Sequence, residues 1–341
     1  MTAPPRALIT GATGQDGWYL SRLLLDDGYQ VFGLVHRDDG MPAPAGVTVV
    51  SGDLADSADV QAAVDYAQPD EVYNLAGVSS VALSWEHPVL TAEVTGVGLL
   101  RVINAVSSLS EGRGRQSRIV QASSAEIFGE AAGLQTERTP IAPVTPYGAA
   151  KAFAHHLARV YRGVGVSIST AILYNHESPR RPETFVARKI TSAVARIARG
   201  EADRLRIGNL EARRDWGFAG DYAHALLLIG RHPAADDFIV ASGESHTVAE
   251  FVATAFRRIG VTDWRALVDV DPSFQRPVDP PEQRGDSGKV RRELGWRPLK
   301  SFEDMVNEMV DADLRMIDSA TPSATGWRGN SPVPASNHGA E

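Results

Sequence analysis

The chain has 341 residues, 43% of them hydrophobic and 22% charged, so it can bury a sizeable core and is predicted to fold. Its 42 acidic and 34 basic residues leave a net charge of −8, which argues against a nucleic-acid partner but allows a local basic pocket. The absence of cysteine excludes disulfides, zinc–thiolate sites and thiol nucleophiles. We expect a soluble, cytoplasmic protein without a membrane partner, because no apolar run reaches about 18 residues and the start lacks a signal-peptide layout.

Strand and helix patterns alternate through the first half of the chain. Short apolar runs typical of buried strands lie at residues 7–10, 31–35, 47–51, 71–76 and 118–124. Apolar residues at helical spacing lie at 18–27, 55–67 and 89–107. This alternation predicts an α/β protein with a Rossmann-type, doubly wound parallel sheet. We assign residues 1–174 to this domain.

The alternation loosens after about residue 173. The later helix patterns lie at 185–199, 248–259 and 302–317, with a strand pattern at 237–241. They predict a smaller α/β substrate-binding domain over residues 175–318, part of which returns to the larger sheet. Residues 319–341 are rich in Ser, Pro, Gly and Ala without periodicity, and we expect a disordered tail there.

A glycine-rich turn follows the first predicted strand. Gly11, Gly14 and Gly17 are spaced G-x-x-G-x-x-G and precede a helix pattern. Glycines allow a tight turn and a close approach of the backbone to a pyrophosphate, which the helix N-terminus then binds. The alternative is a plain strand-to-helix turn; the flanking strand and helix favour a dinucleotide cofactor.

The end of the second predicted strand bears on which dinucleotide binds. NAD sites usually have an acid there for the ribose hydroxyls, whereas this strand ends near Val35 and Arg37 follows. Arginine suits a 2′-phosphate, so we predict NADP, with NAD as the alternative. Asp38 and Asp39 would repel that phosphate if they pointed inward. Asp53 is placed to accept a hydrogen bond from the adenine amine, or else to cap the next helix.

Tyr147 and Lys151 are four residues apart and share one face of a predicted helix. Thr145 and Pro146 suit its N-cap and first turn. With eight tyrosines and four lysines in the chain, chance predicts about 0.1 such pairs, although packing also selects them. The ammonium and an oxidised nicotinamide would lower the pKa of Tyr147 toward neutrality, making it a general base for a sugar hydroxyl. Lys151 can also hold the nicotinamide ribose.

Ser124 and Glu126 follow the predicted strand that ends before this helix, at the carboxyl edge where open α/β sheets bind ligands. Ser124 can hydrogen-bond the same hydroxyl as Tyr147. A simple alcohol dehydrogenase needs no carboxylate beside that serine, whereas an enzyme that also removes a carbon-bound proton does. Glu126 is therefore a candidate second base, with capping of the next turn as the alternative.

Longer segments carry a resemblance to a known family. They lie at residues 11–17, 68–76, 121–126, 146–151, 175–180, 188–189 and 208–217, and include Asn-His-Glu-Ser-Pro-Arg at 175–180 and Gly-Asn-Leu-Glu-Ala-Arg-Arg-Asp-Trp-Gly at 208–217. From about residue 7 to 317 the chain resembles the extended short-chain dehydrogenase/reductase superfamily and, within it, the GDP-mannose 4,6-dehydratase family.

The resemblance implies a carbon–oxygen lyase that dehydrates the nucleotide sugar GDP-mannose to GDP-4-keto-6-deoxy-mannose. Tyr147 would take the C4 hydroxyl proton as hydride leaves C4 for a tightly bound nicotinamide. Glu126 would remove the C5 proton, water would leave from C6, and the hydride would return to C6. The resemblance also implies a homodimer paired through the helices near 89–107 and 147–162, with a tetramer possible in principle.

The resemblance also implies contact residues. Further candidate cofactor contacts are Gln15, Asp16, Leu54, Leu75 and Ala76. Candidate substrate contacts are Ser79, Asn175, Lys189, Arg214, Arg276 and Asp279. The three cations among them would neutralise the pyrophosphate, and Asp279 stands where the family usually has the glutamate that holds the ribose. For each cation the alternative is an ordinary surface charge.

Departures from the family pattern fall at the site itself. Ala125 replaces a serine that could deliver a proton to the leaving hydroxyl, so Glu126 or Tyr147 would have to do so. The arm after the second strand is shortened at 37–40, which bears on both the tetramer and NADP. The stretch 277–285 differs in the loop that binds guanosine, so the sequence specifies the nucleobase less firmly than the reaction.

Three other functions stay open. They are the same chemistry on another GDP-sugar such as a manno-heptose, a 4-ketosugar reductase or epimerase, and a non-catalytic NADP-binding regulator. Glu126 and the 175–180 segment argue against the reductase, and the Ser124, Tyr147 and Lys151 set argues against the regulator. The nine histidines lack metal-ligand spacing, and His176 belongs to the 175–180 segment, so we predict no metal.

Overall fold

The computed structural model describes residues 3–37, 39–274 and 278–320. Within them the strands are, in chain order, β1 (Arg6–Thr10), β2 (Gln30–Val35), β3 (Thr48–Ser51), β4 (Glu71–Asn74), β5 (Arg118–Ser124), β6 (Leu134–Gln135), β7 (Ile168–Leu173), β8 (Asn175–Glu177), β9 (Leu205–Ile207), β10 (Arg213–Phe218), β11 (Asp237–Val240), β12 (Ser245–Thr247), β13 (Val268–Val270) and β14 (Glu282–Gly285). The α-helices are α1 (Gln15–Asp26), α2 (Ser57–Ala67), α3 (Val81–Glu86), α4 (Pro88–Thr91), α5 (Gly98–Arg113), α6 (Pro146–Gly163), α7 (Val186–Ala198), α8 (Ala219–Arg231), α9 (Val248–Arg258), α10 (Gly288–Leu294) and α11 (Phe302–Ala320).

Seven parallel strands form the larger sheet, in the order β11-β7-β5-β4-β1-β2-β3. Its central strands are mostly buried because helices cover both faces, and every residue of β7 is buried. The predicted doubly wound parallel sheet is confirmed. The order reverses between β1 and β4, so the carboxyl ends of these strands open a crevice for a ligand.

Two layers of helices complete the larger sheet. On one face α1 and α8 pack together, and Leu20 and Leu226 belong to the same buried cluster. On the other face α2, α5 and α6 bury residues such as Val64 and Ile103. Full burial of one such side chain contributes about 1.5–3 kcal/mol, so these layers give the site a rigid base.

The second half of the chain contributes both to this sheet and to a second one. β11, which comes from the second half of the chain, joins the larger sheet beside β7. The second sheet runs β12-β10-β14-β6, and β8 pairs with β10. β8 begins only one residue after β7, so the chain passes directly from the carboxyl edge of the larger sheet into the second one.

The helices of the second half have a core of their own. Trp216, Phe251 and Met309 are buried there between β10, α9 and α11. The buried Arg188 of α7 pairs with Asp313 of α11 at 2.5 Å, which ties two of these helices together. α11 continues to residue 320, beyond the predicted boundary at 318, and residues 321–341 lie outside the described part of the chain.

The predicted helix at 89–107 is longer than expected. α4 runs through a π-helical segment, Ala92–Val97, into α5, so one helix spans Pro88–Arg113. By length and composition it is the one described helix able to cross a membrane, but half of its most apolar window is buried in this fold. It packs against α6 and forms part of the α/β core. A cytoplasmic location stays a prediction.

Candidate active site

The N-terminal end of α6 brings the predicted catalytic residues together. The Thr145 side chain caps this helix by accepting a hydrogen bond of 2.9 Å from the Gly148 amide. A Cβ at Gly148 would lie 2.6 Å from the Glu126 carbonyl oxygen, so only glycine lets α6 approach the turn after β5 this closely. This packing places Tyr147 and Lys151 beside the carboxyl end of β5.

Lys151 is buried and has a defined partner. Its ammonium donates a hydrogen bond of 2.7 Å to the Ala122 carbonyl oxygen, and its Nζ lies 5.8 Å from the centre of the Tyr147 ring. Burial lowers the pKa of Lys151 to about 8, although Asp16 acts in the opposite direction. The ammonium is therefore fixed between β5 and the phenol, as the predicted shared helix face requires.

The pKa of Tyr147 in the protein alone lies above its ordinary value. Burial raises this pKa to about 12, the Ser124 hydroxyl lowers it by hydrogen bonding, and the Glu126 carboxylate raises it. Desolvation of the phenol outweighs the charges around it here, and the predicted lowering, which also needs an oxidised nicotinamide beside the ring, stays a prediction. Any phenolate here needs additional positive charge near the ring.

Ser124 and Glu126 stand on a tight turn at the end of β5. The 3₁₀ turn Ala125–Phe128 follows the strand, and the Ser124 hydroxyl accepts a hydrogen bond of 3.2 Å from the Glu126 amide. The Glu126 side chain is buried, and its Oε2 has no hydrogen-bond partner among the described residues. The turn therefore aims a carboxylate into the same space as the serine and the phenol.

A buried glutamine also reaches this carboxylate. Gln283 on β14 lies 3.4 Å from Glu126, with its amide nitrogen donating to Oε1. The sequence analysis did not single out this residue, because nothing local to 277–285 indicates contact with residue 126. The pairing of β14 with β10 and β6 sets its position.

The glycine-rich turn between β1 and α1 fits a pyrophosphate. Gly11 has a φ of +72°, and a Cβ there would lie 3.2 Å from the Ala76 backbone. The Thr10 hydroxyl accepts hydrogen bonds of 3.0 Å from the amides of Leu75 and Ala76, which fixes the two turns side by side. α1 begins after Gly14 without a side-chain cap, so its N-terminal amides face a cradle that a side chain would fill.

The side chains of Gln15 and Asp16 turn away from this cradle toward β8. Gln15 donates to the His176 carbonyl oxygen at 2.9 Å and accepts from the Ser178 hydroxyl at 2.8 Å. Asp16 lies 2.9 Å from the His176 ring nitrogen Nε2. Contact of Gln15 and Asp16 with a cofactor stays a prediction, one that rests on their backbone amides. The tie to His176 escaped sequence reasoning because it joins residues 160 positions apart.

Charges of both signs surround the predicted adenosine end of the cradle. Arg37 makes two hydrogen bonds of 2.8 Å to Asp59, and the Thr13 hydroxyl donates to Asp39. Asp39 thus points inward, as the sequence analysis considered for this acid; Asp38 lies outside the described residues. Asp53 accepts from the Ala55 amide at 2.8 Å in the turn before α2, and the N-cap of that helix is Asp56.

The predicted substrate contacts lie along β10, α7 and the segment before β14. The buried Arg214 pairs with Asp279 at 2.5 Å and donates to the Pro280 carbonyl oxygen at 2.8 Å. The Lys189 ammonium lies 3.1 Å from the centre of the Phe274 ring. Arg276 lies between Phe274 and Asp279 in the sequence and is outside the described residues.

The other predicted contact residues lie on three different elements of the fold. Asn175 opens β8 opposite Trp216 of β10, at the carboxyl edge of the larger sheet. Ser79 is exposed in the loop after β4, and Leu54 is buried against Gly98. No cluster of three or more metal-ligating side chains occurs in 3–37, 39–274 and 278–320.

The fold and these side chains define a Rossmann-type enzyme with a tyrosine–lysine centre and an adjacent carboxylate. A profile of the GDP-mannose 4,6 dehydratase family matches residues 8–309, and the chain belongs to that family. It is 42% identical to GDP-mannose 4,6 dehydratase 1 of Arabidopsis thaliana, over 91% of this chain and 90% of the relative. The family resemblance inferred from the sequence is thereby confirmed.

Solved structures share the fold. A putative epimerase from Burkholderia cenocepacia superimposes with a TM-score of 0.78 at 30% identity, covering 92% of this chain and 100% of that one. The UDP-glucose 4-epimerase of Thermus thermophilus, solved in complex with NAD, gives a TM-score of 0.80 at 27% identity, covering 90% and 98%. The two relatives place the chain among Rossmann-type enzymes of nucleotide sugars.

Proposed function

We propose that this protein dehydrates GDP-mannose to GDP-4-keto-6-deoxy-mannose. Glu126 is the observation that carries the proposal, because it is a buried carboxylate within electrostatic reach of Tyr147 and beside Ser124. Dehydration at C5 and C6 needs one base for the C4 hydroxyl and a second for a carbon-bound proton. Tyr147 and Glu126 supply these two groups in one space.

The glycine cradle supports a nicotinamide dinucleotide as the cofactor. When bound, it supplies the hydride acceptor for C4 and later the hydride donor for C6, so the reaction consumes no net oxidant. The N-terminus of α1 would hold its pyrophosphate, and Tyr147 and Lys151 would hold the nicotinamide ribose.

Tyr147 acts first. The surroundings, chiefly burial, raise the pKa of this phenol to about 12, so the positive charges of the buried Lys151 and of the oxidised ring are both needed to favour phenolate. The phenolate takes the C4 hydroxyl proton while Ser124 hydrogen-bonds the same oxygen. The new ketone at C4 then acidifies the proton on C5.

Glu126 acts next. Its carboxylate takes the C5 proton, the electron pair of that C–H bond forms a C5–C6 double bond, and the C6–O bond breaks. We assign protonation of the leaving oxygen to Glu126, since Ala125 has no hydroxyl, so the proton from C5 leaves in the water. A hydride added at C6 and a proton added at C5 complete the product. The proton gained at C5 balances the one that Tyr147 took from the C4 hydroxyl.

Arg214 and Lys189 support recognition of the diphosphate. Arg214 is buried and is held by Asp279 and the Pro280 carbonyl oxygen, which fixes its guanidinium. Lys189 lies above Phe274, the last described residue before position 275. In the proposed complex Asp279 accepts from the ribose hydroxyls, Asn175 and Ser79 contact the sugar, and Arg276 adds a third cation.

We propose NADP as the dinucleotide, with Arg37 as the ligand of its 2′-phosphate. Arg37 is mostly exposed and pairs with Asp59 at the surface, so a phosphate can exchange for that partner at little cost. The Asp39 carboxylate on Thr13 favours NAD as the alternative, because it would repel a phosphate beside the cradle.

We propose that two copies pair through α6 and the helix Pro88–Arg113. Phe153 and Val160 on α6 and Val164 at its C-cap present apolar side chains, and Val160 and Val164 are 63% and 76% exposed. Val89 on the adjacent helix is also 76% exposed. Long adjacent helices with exposed apolar stripes suit a four-helix contact between copies, and a tetramer would need further surfaces.

A 4-ketosugar epimerase is the alternative that the two structural relatives favour. An epimerase returns the hydride to C4 and loses no water, so the mass of the sugar nucleotide decides between the two. Incubation with GDP-mannose and without added reductant should give a product lighter by one water. Unchanged substrate, or consumption only with stoichiometric reduced cofactor, would contradict the proposal. A faster reaction with a GDP-manno-heptose would identify that sugar nucleotide as the substrate instead of GDP-mannose.

A further inference from the structure

Gln283 is a buried amide that contacts the second base. It is 1% exposed in the middle of β14, and its Nε2 donates to Glu126 Oε1 across 3.4 Å. The two residues are 157 positions apart, so this contact depends on the tertiary fold, in which β14 lies between β10 and β6. No part of the reaction proposed above uses this amide.

The contact makes the two carboxylate oxygens of Glu126 unequal. Oε1 has the Gln283 amide as its donor, whereas Oε2 is buried without a hydrogen-bond partner among the described residues. A carboxylate held at one oxygen cannot rotate freely about its terminal bond. Its other oxygen keeps a fixed direction and an unused lone pair, as a base for a carbon-bound proton requires.

β14 also connects this base to the cationic end of the substrate site. Its pairing with β10 sets Gln283 opposite Arg214. Arg214 in turn holds Asp279 at 2.5 Å and the Pro280 carbonyl oxygen at 2.8 Å, just before β14 begins. The strand that carries the amide is therefore anchored by the residues proposed to bind the nucleotide.

We propose that Gln283 is a positioning residue that holds Glu126 Oε1 and thereby aims Oε2 at the C5 proton of the substrate bound along β10 and β14. The inference rests on the proposed dehydration. Gln283 itself neither gains nor loses a proton. The C5 proton passes to Oε2 of Glu126, and the C–H electron pair forms the C5–C6 double bond as the C6 oxygen leaves.

The test replaces the amide by a side chain of similar length without a donor, Gln283→Met. We expect kcat with GDP-mannose to fall about 30-fold, because a small displacement of the base from the C5 proton slows proton transfer. KM should change less than about 3-fold. The kinetic isotope effect from deuterium at C5 should rise, and that from deuterium at C4 should not. In a Glu126→Gln background the same substitution should have no further effect.

Gln135→Met is the matched control. Gln135 is equally buried on the neighbouring β6 and bonds the Tyr174 hydroxyl and the Ala131 carbonyl oxygen. Its loss should lower the unfolding temperature and leave both isotope effects unchanged. If Gln283→Met does not fold, Gln283→Asn keeps the amide on a shorter stem and should show a smaller loss with the same C5-specific isotope effect.

The outcomes separate the two proposals. Wild-type kcat and an unchanged C5 isotope effect in the folded Gln283 variants would overturn the positioning role. An equal rise of both isotope effects would also overturn it, because the amide would then act on the whole site. Failure of the wild-type protein to consume GDP-mannose would instead overturn the proposed dehydration.

Discussion

The imidazole of His176 and the carboxylate of Asp16 lie 2.9 Å apart and join the second half of the chain to the glycine-rich turn. The ring also stacks on Tyr222, with centroids 4.7 Å apart. Burial opposes both charges, but mutual attraction outweighs it, so the pKa of His176 is raised and that of Asp16 is lowered. The cofactor turn is thus held by the same segment that carries Asn175.

Asp16→Asn should destabilise the fold in a defined pH window. His176 contributes stability that is complete below its ordinary pKa of 6.5 and is lost as pH rises through its raised pKa. Asp16 contributes stability that is complete above 3.8 and is lost as pH falls through its lowered pKa. Between those values we expect the variant to lose about 2–3 kcal/mol in denaturant unfolding, because the pair is mostly buried.

The exposed ion pair of Arg199 with Asp318 is the control for this loss. Asp318→Asn should leave the free energy of unfolding nearly unchanged at each of these pH values, because solvent screens an exposed pair. A loss in Asp16→Asn that does not vary with pH would contradict the ion-pair assignment and indicate a packing effect.

Tyr147→Phe removes the proposed first base and should lower kcat by about 1000-fold. Substrate binding measured by calorimetry should change little, since the diphosphate contacts lie elsewhere. Lys151→Met should lower kcat by a similar factor. It should also lose more of the bound cofactor during gel filtration than Tyr147→Phe does. Activity within a few fold of wild type in Tyr147→Phe would remove the phenol from the reaction.

Arg37→Ala should raise the Kd for NADP about 20-fold and leave that for NAD unchanged, because a charge-assisted contact to phosphate is lost. Asp39→Asn should act in the opposite direction and improve NADP, since it removes a negative charge beside Thr13. The measurement is cofactor binding to stripped protein by fluorescence of the reduced nicotinamide. Tighter binding of NAD by the wild-type chain would transfer the assignment to NAD.

A double variant, Val160→Asp with Val164→Asp, should convert a dimer to a monomer in light scattering at micromolar concentration. Buried carboxylates at an apolar contact carry a large desolvation penalty. Leu299→Asp is the control, because Leu299 is 83% exposed on a different surface. A wild-type protein that is monomeric, or a double variant that stays dimeric, would rule out this pairing.

The sequence predicted the parallel sheet because alternating strand and helix patterns are local and allow few topologies. It also predicted Tyr147 and Lys151 on one face, since four-residue spacing on a helix is local geometry. The sequence did not predict the contacts that Gln283 and His176 make. Each contacts a residue more than 150 positions away, and no local pattern encodes which loops meet across two sheets.

The pKa of Tyr147 shows a second limit. The sequence identifies the neighbouring ammonium but not how far burial desolvates the phenol, and the larger effect sets the direction. The segments around Arg37 and Asp39 show the same limit, since only the fold reveals that one acid pairs with the arginine and another bonds Thr13.

Glu126 decides between dehydration and simple redox chemistry. Glu126→Gln keeps the size of the side chain and should retain cofactor binding, but it should lower turnover by about 1000-fold, since the amide cannot accept the C5 proton. Ser245, whose hydroxyl bonds Glu282 away from the base, provides a matched control through Ser245→Ala, which should keep wild-type turnover. Unchanged turnover in Glu126→Gln would remove this carboxylate from the reaction.

The most direct measurement is mass and NMR analysis of GDP-mannose incubated with the wild-type protein in deuterium oxide without added reductant. The account predicts a GDP-sugar that has lost one water, with a ketone at C4, the original C4 hydrogen at C6 and one solvent deuterium at C5. A product that keeps all its oxygen, or one without deuterium at C5, would contradict it.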